Sequence, residues 1–223
     1  MYYIKKFLKG IREQLYVIYN LFVSYLFMMR GAWHISHLQQ PIVTIFGGAK
    51  LKQNHTYAYH AAQLVRLLIE KNISIITGGG PGIMQAANCA AYKKNDHVKS
   101  IGISVKGLSG EERNNCADIM LVVPHMFARK WLMTRYSQVF VIFPGGFGTA
   151  DEMFEILTLM QINHVKRFPI IIFGKDYWNH LIAWVETSIQ SGLIAQKDAD
   201  LLFVTDDVQE ASEKIIAYCQ CLN

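Results

Sequence analysis

From residue 41 onward, short runs of β-branched and other apolar residues alternate with longer segments whose apolar positions recur every three or four residues. The short runs predict strands buried on both faces, and the longer segments predict helices. This alternation favours an α/β fold: a doubly wound, Rossmann-like parallel sheet with helices on both faces, over residues 41–223. The predicted strands are 42–46, 73–77, 100–104, 119–123, 139–143, 170–173 and an edge strand at 201–204. The predicted helices are 54–70, a helix ending at 93, 126–136, 149–161, 177–191 and one from about 207.

Residues 1–40 form a separate N-terminal extension with the apolar period of a helix. The period is carried by Ile4, Phe7, Ile11, Leu15, Ile18, Phe22 and Tyr25. The apolar run from Leu15 to Met29 is shorter than the roughly 20 residues that span a bilayer. We therefore expect an amphipathic helix packed on the main domain or on a second subunit, and we do not expect a membrane partner. A helix lying on a membrane surface is the alternative.

Composition narrows the classes of function. Hydrophobic residues make up 52% of the chain and charged residues 17%, which excludes intrinsic disorder as a description of the whole. The net charge is +5, but Lys and Arg never run longer than two residues, so small anions are better candidates than nucleic acid. Four cysteines in 223 residues predict no disulfide framework and favour the cytoplasm. The histidines and cysteines show no metal-ligand spacing, and no cofactor is expected.

Three predicted strands end in glycine, at Gly47-Gly48, Gly78–Gly82 and Gly145–Gly148. In a doubly wound sheet, ligands bind at the carboxyl ends of the strands, where the next helix presents free N–H groups. An anion such as a phosphate is the expected ligand, although glycines also close tight turns without binding anything. Neither the dinucleotide fingerprint nor the P-loop spacing is present, which favours a mononucleotide or sugar phosphate.

Charged residues surround the third glycine turn. Thr149 and Glu152 have the spacing of a capping box, in which Thr149 would be the N-cap; alternatively, Glu152 is a carboxylate beside the anion site. Glu155 lies one helical turn further on. Arg129 and Lys130 open the preceding helix, where the helix dipole disfavours positive charge, so an anionic ligand or a carboxylate partner is expected there.

These residues resemble those of the LOG (Lonely Guy) family. The stretch Pro144–Glu152 fits the family's P-G-G-x-G-T-x-x-E motif, Arg129-Lys130 fits its R-K pair, and Thr77–Met84 resembles its second glycine turn. The resemblance covers residue 42 to the C-terminus, and the N-terminal extension looks like the longer bacterial branch. One departure is Gln85, where relatives of that branch often have Glu.

The resemblance implies hydrolysis of the N-glycosidic bond of a nucleoside 5′-monophosphate, of the AMP or cytokinin riboside type, to free base and ribose 5-phosphate. It implies that Arg129 and Glu152 are catalytic, and that the protein is a homodimer or larger homo-oligomer. Glu155 would position a ribose hydroxyl or Arg129, and either Glu111 or Glu112 would contact substrate. The implied substrate-binding residues are Gly47, Gly48, Gly79, Gly80, Glu112, Lys130, Gly145, Gly146, Gly148, Thr149 and Glu155.

Three other functions fit parts of the pattern. A lysine decarboxylase needs a Schiff-base lysine for pyridoxal phosphate, and no lysine here has a suitable setting. A broader purine or pyrimidine monophosphate nucleosidase cannot be separated from cytokinin activation by sequence. A non-catalytic nucleotide or cofactor carrier is the alternative from another class, because Rossmann-like folds also bind without cleaving.

Overall fold

A computed structural model describes residues 2–94, 98–107 and 112–221, which fold around a sheet of seven parallel strands in the order β4-β3-β2-β1-β5-β6-β7. The predicted doubly wound architecture is confirmed, and every predicted strand is present to within one or two residues at each end. The strands are β1 (Ile42–Phe46), β2 (Ser74–Thr77), β3 (Ser100–Val105), β4 (Ile119–Val123), β5 (Val139–Ile142), β6 (Ile170–Phe173) and β7 (Leu202–Thr205).

The helices form a layer on each face of this sheet. Side chains of α2, α3 and α8 pack on one face, and those of α4, α5, α6 and the end of α1 pack on the other. The helices are α1 (Tyr2–Ser36), α2 (Thr56–Glu70), α3 (Ile83–Ala91), α4 (Met126–Tyr136), α5 (Phe147–Gln161), α6 (Lys175–Gln190), α7 (Gln196–Ala199) and α8 (Val208–Gln220).

Each strand contributes side chains to the hydrophobic core on both faces of the sheet, because successive side chains point to opposite faces. In β1, Val43 and Ile45 are fully buried on the α2–α3 side, whereas Ile42 and Phe46 are buried on the α4–α5 side. This two-sided burial explains why the strands read as continuous apolar runs rather than as alternating ones.

The side of the sheet on which successive strands are added changes between β1 and β5. Strands β2, β3 and β4 extend to one side of β1, and β5, β6 and β7 extend to the other. The carboxyl ends of β1 and β5 therefore diverge into opposite crossovers, and in open α/β sheets the crevice at such a point is where ligands bind. The Gly48 N–H donates to the Pro144 carbonyl oxygen at 2.9 Å, which joins the two strand ends there.

The N-terminal helix packs on the main domain only through its C-terminal part, and packing of the rest on a second subunit stays a prediction. Every described side chain from residue 3 to 19 is exposed, and only the last turns of α1 and the residues just after them enter the core, with Ile35 and Leu38 buried. In the described part of the chain one helical stretch, Lys5–Ser36, is long and apolar enough to cross a membrane.

Two further features were not expected from the sequence. The four-residue helix α7 falls between α6 and β7, where no helix was predicted. A disulfide joins Cys89 of α3 to Cys116, which precedes β4. Their separation of 27 residues in a chain with few cysteines gives no sign of pairing.

Candidate active site

The first and third glycine turns meet at the crevice between β1 and β5. Gly48 is packed against Gly145, and a Cβ on Gly48 would lie 3.1 Å from the Pro144 carbonyl oxygen. A Cβ on Gly47 would lie 2.6 Å from a side-chain carbon of Ile83, at the start of α3. Only glycine allows these backbones to approach so closely, so the paired turns form a narrow, backbone-lined floor.

The second glycine turn makes room for Arg129. A Cβ on Gly78 would lie 2.2 Å from an Nη atom of Arg129, so the guanidinium occupies the space that a side chain would fill. Gly79 and Gly80 are buried beside it. Their carbonyl oxygens accept hydrogen bonds of 2.9 Å from the backbone N–H and side-chain Nδ2 of Asn114, so they serve the shape of the turn.

The third turn continues directly into α5. Its N-cap is Gly146, and the N–H groups of Thr149 and Ala150 donate to the Gly146 carbonyl oxygen. Thr149 is therefore the third residue of the helix and not the N-cap, so the capping-box interpretation is wrong. Gly146, Phe147 and Gly148 are exposed, and the earliest N–H groups of a helix have no acceptor within it. This helix end is suited to an anion.

Arg129 is held inside the domain by the helix that carries it. Ala128, Leu132 and Met133 of α4 are fully buried, which fixes the face that Arg129 presents. Arg129 is 9% exposed, and its buried Nε–H has no hydrogen-bond partner in the described part of the chain. A buried guanidinium donor without a partner is costly, so the site is arranged to receive an acceptor.

Glu152 is the buried carboxylate of the site. It lies one turn after Thr149 on α5 and is 4% exposed. Burial raises the pKa of Glu152 to about 6, although the charges of Arg129 and Lys130 act in the opposite direction. A carboxylate with such a pKa is ionised at neutral pH and is still basic enough to accept a proton.

Lys130 pairs with carboxylates of α5 rather than facing open solvent. Its Nζ lies 2.7 Å from Asp151 Oδ2 and 2.5 Å from Glu155 Oε2. Although partial burial opposes its charge, hydrogen bonds to Asp151 and Glu155 raise the pKa of Lys130. Among the described residues Glu155 pairs with Lys130, and the expectation that it positions a ribose hydroxyl or Arg129 stays a prediction.

Glu112 is exposed and makes no hydrogen bond or ion pair with the described residues, and Glu111 lies outside them. Two residues that the sequence did not single out are structurally closer to the glycine turns. Asn114 fastens the second turn, and the Tyr177 hydroxyl donates to the Gly145 carbonyl oxygen at 2.6 Å. Neither residue belongs to a glycine-rich motif, so only the folded structure reveals them.

The described residues include no group of three His, Cys, Asp or Glu side chains placed to bind a metal ion. Cavities of about 460 and 580 Å³ lie outside the crevice. The smaller is beside the ends of β6 and β7, and the larger is beside the residues that precede β1 and β5. The candidate site is thus an open crevice, formed by backbone turns and the buried Arg129 and Glu152.

The fold and the crevice define a class: a doubly wound domain whose topological switch point is suited to an anion and which holds a buried arginine and glutamate beside it. A protein family described as "Possible lysine decarboxylase" matches residues 84–215. The chain belongs to this family, and its resemblance to the LOG proteins is confirmed by the relatives it matches.

Those relatives are plant enzymes. The chain is 28% identical over 183 residues to cytokinin riboside 5′-monophosphate phosphoribohydrolase LOG3 of Arabidopsis thaliana, covering 80% of this chain and 83% of that protein. It is also 28% identical over 180 residues to the probable phosphoribohydrolase LOGL6 of Oryza sativa, covering 79% and 70%.

Solved structures confirm the fold. The molybdenum cofactor carrier protein of Chlamydomonas reinhardtii superposes with a TM-score of 0.59 at 22% identity, covering 81% of this chain and 98% of that one. The structure of TM1055 gives a TM-score of 0.58 at 18% identity, with coverage of 79% and 98%.

Proposed function

We propose that the protein hydrolyses the N-glycosidic bond of a nucleoside 5′-monophosphate, of the AMP or cytokinin riboside type, to give free base and ribose 5-phosphate. The observation that carries the proposal is the burial of Glu152 and Arg129 together beside the glycine turns. Membership of the family and the named activity of the LOG relatives support it.

The phosphate would bind at the start of α5. Gly146 and Gly148 have no atoms of the chain within 4 Å of an added Cβ, so an anion can approach their backbone freely. The N–H groups and positive dipole of the helix end stabilise the phosphate charge. Gly47, Gly48 and Gly145 would form the floor beneath it.

Glu152 would act at the anomeric carbon. As the C1′–N bond breaks, positive charge develops on the ribose ring, and an adjacent carboxylate stabilises it. The base leaves with the electron pair of the C1′–N bond and takes up a proton from solvent. A water molecule forms the new C1′–O bond and gives up a proton to Glu152, which returns it to solvent, so one water is consumed in all. The raised pKa of Glu152 suits it to accept this proton at neutral pH.

Arg129 would hold the substrate through the donor that the chain leaves without a partner. Its planar guanidinium can bind two oxygens at once. Lys130, with Asp151 and Glu155, forms an ion-pair cluster that fixes α4 against α5 and so keeps Arg129 and Glu152 in register.

A pyridoxal phosphate mechanism, as the family's description would suggest, does not fit these residues. An imine forms on a neutral amine, whereas Lys130, the lysine beside the site, has two carboxylate partners and a raised pKa. No step of a decarboxylation is assigned to it.

A non-catalytic carrier is the second candidate, because solved structures titled molybdenum cofactor carriers share the fold. A carrier has no step that uses a buried carboxylate with a raised pKa, whereas hydrolysis uses such a group to accept a proton from water. The state of Glu152 therefore favours the hydrolase.

The test is to incubate the full chain with AMP, a cytokinin riboside monophosphate, GMP, CMP and UMP, and with adenosine to test the need for phosphate. Chromatography measures base and ribose 5-phosphate. Arg129→Ala should abolish release, whereas Arg135→Ala, an exposed arginine of the same helix, should not change it. Binding of monophosphates without release of base would establish the carrier instead. If base is released, the order of the rates for the five monophosphates identifies the preferred base. The cytoplasmic location and the homo-oligomeric state stay predictions.

A further inference from the structure

The side chains of residues 5–19 of α1 are exposed. The helix has 35 residues and is about 52 Å long. Its attachment to the domain begins near Ser24, which is 1% exposed, and continues where Met28 and Ala32 pack beside the core and Gly31 contacts Leu132. The segment before this attachment projects away from the domain.

The part of the projecting segment from Leu15 to Phe22 is apolar around the helix, with Asn20 as its one polar residue. The five consecutive residues Leu15–Tyr19 are exposed by 53–65% of their surface, and consecutive residues are 100° apart around a helix. Leu21, Phe22, Leu26 and Phe27 continue the apolar surface. A helix that is hydrophobic all round belongs in a protein core or in a membrane, and this one is not in the core.

A second copy of the chain would cover only part of this surface. Two helices that associate bury one stripe each and keep polar residues on their outer faces. Residues 14–29 include no charged residue and only three polar ones, Gln14, Asn20 and Ser24, so no outer face of this kind exists. Lipid acyl chains surround a helix completely and match the observed pattern.

Charge is distributed as an anionic membrane requires. Lys5, Lys6, Lys9 and Arg12 precede the apolar segment, and Glu13 is the only acidic residue in the first forty. Basic residues next to a membrane surface are attracted to anionic lipid headgroups. At the other end, Arg30 and the exposed Trp33 mark the return to the interface, since Trp is enriched there and long cations extend to the headgroups.

We propose that α1 embeds the exposed side chains of Leu15–Phe22 and of Tyr25, Leu26 and Phe27 in a lipid bilayer with anionic headgroups and so tethers the catalytic domain to a membrane. The face that carries Ser24 and Met28 stays against the domain. The flanking Arg12 and Arg30 side chains are long enough to extend to the headgroups.

The test is flotation of the full chain with phosphatidylcholine vesicles, with and without phosphatidylserine, on a sucrose gradient. We expect the protein in the vesicle fraction, with more bound when phosphatidylserine is present, and retention after extraction with alkaline carbonate. The double variant Ile18→Asp and Phe22→Asp should remain at the bottom of the gradient. The matched control, Tyr59→Asp with Leu193→Asp, places the same charges at exposed apolar positions of the domain and should float.

A second variant separates charge from insertion. Replacing Lys5, Lys6 and Lys9 with Gln should remove the preference for phosphatidylserine while leaving carbonate-resistant binding. All variants should unfold at the temperature of the wild type, since the substituted side chains are exposed. Protein that stays at the bottom with both vesicles, or that floats but is released by salt alone, would overturn the proposal. A dimer in vesicle-free buffer that Ile18→Asp with Phe22→Asp dissociates, without flotation of the wild type, would identify a second copy as the partner instead.

Discussion

Glu152 and Arg129 are ionisable side chains held inside the domain, with exposed fractions of 4% and 9%. Buried charges cost free energy, and groups with perturbed pKa values cluster at functional sites. The second glycine turn accommodates Arg129 at Gly78, and the fully buried Met153 and Ile156 of α5 hold Glu152 in place. The burial of these two side chains lowers the stability of the fold and makes the site suited to bind a ligand.

The pH dependence of base release reports the ionisation of Glu152. Because the carboxylate must be ionised to act, kcat/KM should fall about tenfold per pH unit below the Glu152 pKa of about 6. The measurement is the rate of base release between pH 4.5 and 8 on protein shown by circular dichroism to be folded throughout. A profile that stays flat down to pH 5 would contradict this role.

Glu152→Gln should stabilise the fold while it removes activity. The folded-state pKa is raised, so the stability tied to the protonated carboxyl is complete below pH 4.5 and is lost as pH rises through about 6. At pH 7.5 the ionised group therefore costs about 2 kcal/mol, which Gln does not incur. The melting temperature should rise by about 4–8 °C at pH 7.5. The gain should vanish at pH 4.5, and a variant less stable than the wild type at pH 7.5 would contradict the pKa assignment.

Gly78→Ala should inactivate the enzyme through Arg129. The added Cβ would meet the guanidinium at 2.2 Å, so the side chain must move while the surrounding backbone stays in place. We expect base release to fall by about 100-fold or more, the scale on which small misplacements act. Gly10→Ala, with no atom within 4 Å of the new Cβ, is the control. Unchanged activity in Gly78→Ala would show that the position of Arg129 is not critical.

At the scale of elements, loops fasten the glycine turns from outside. Asn114 donates to the carbonyl oxygens of both Gly79 and Gly80, and it accepts from Asn88 Nδ2 of α3. The Cys89–Cys116 disulfide ties the same loop to α3. The loop that carries Glu112 is thus attached at two points to the wall of the crevice.

Asn114→Ala should destabilise the domain by about 3 kcal/mol, because it leaves a buried carbonyl and amide without partners. Thermal unfolding measures the loss. Asn115→Ala, the exposed neighbour, should unfold like the wild type. Equal melting temperatures for the two variants would mean that Asn114 does not secure the turn.

The sequence predicts the strands well because parallel strands buried on both faces must be continuously apolar, as in Ile170–Phe173. The family motif likewise identifies Arg129 and Glu152. The sequence cannot show which carboxylate pairs with Lys130, because that depends on how α4 and α5 face each other. The disulfide depends on Cys89 and Cys116 being brought together by the fold. The projection of α1 depends on which residues of the domain its C-terminal part contacts.

At the scale of the whole molecule, a catalytic α/β domain is joined to a long apolar helix. The crevice lies at the carboxyl ends of β1 and β5, whereas α1 docks through its last turns on α4. Changes in the projecting half of α1 should therefore affect location and leave chemistry intact, and changes at Glu152 should do the reverse.

The most direct test of the central claim compares AMP binding with base release in the wild type and two variants. AMP affinity by calorimetry and base formation by chromatography are measured for the wild type and for Glu152→Gln, with Glu186→Gln, an exposed glutamate of α6, as control. We predict that all three bind AMP, that the wild type and Glu186→Gln release base and ribose 5-phosphate, and that Glu152→Gln releases neither. A wild type that binds AMP but releases no base, or a Glu152→Gln variant that remains active, would contradict the proposed hydrolysis.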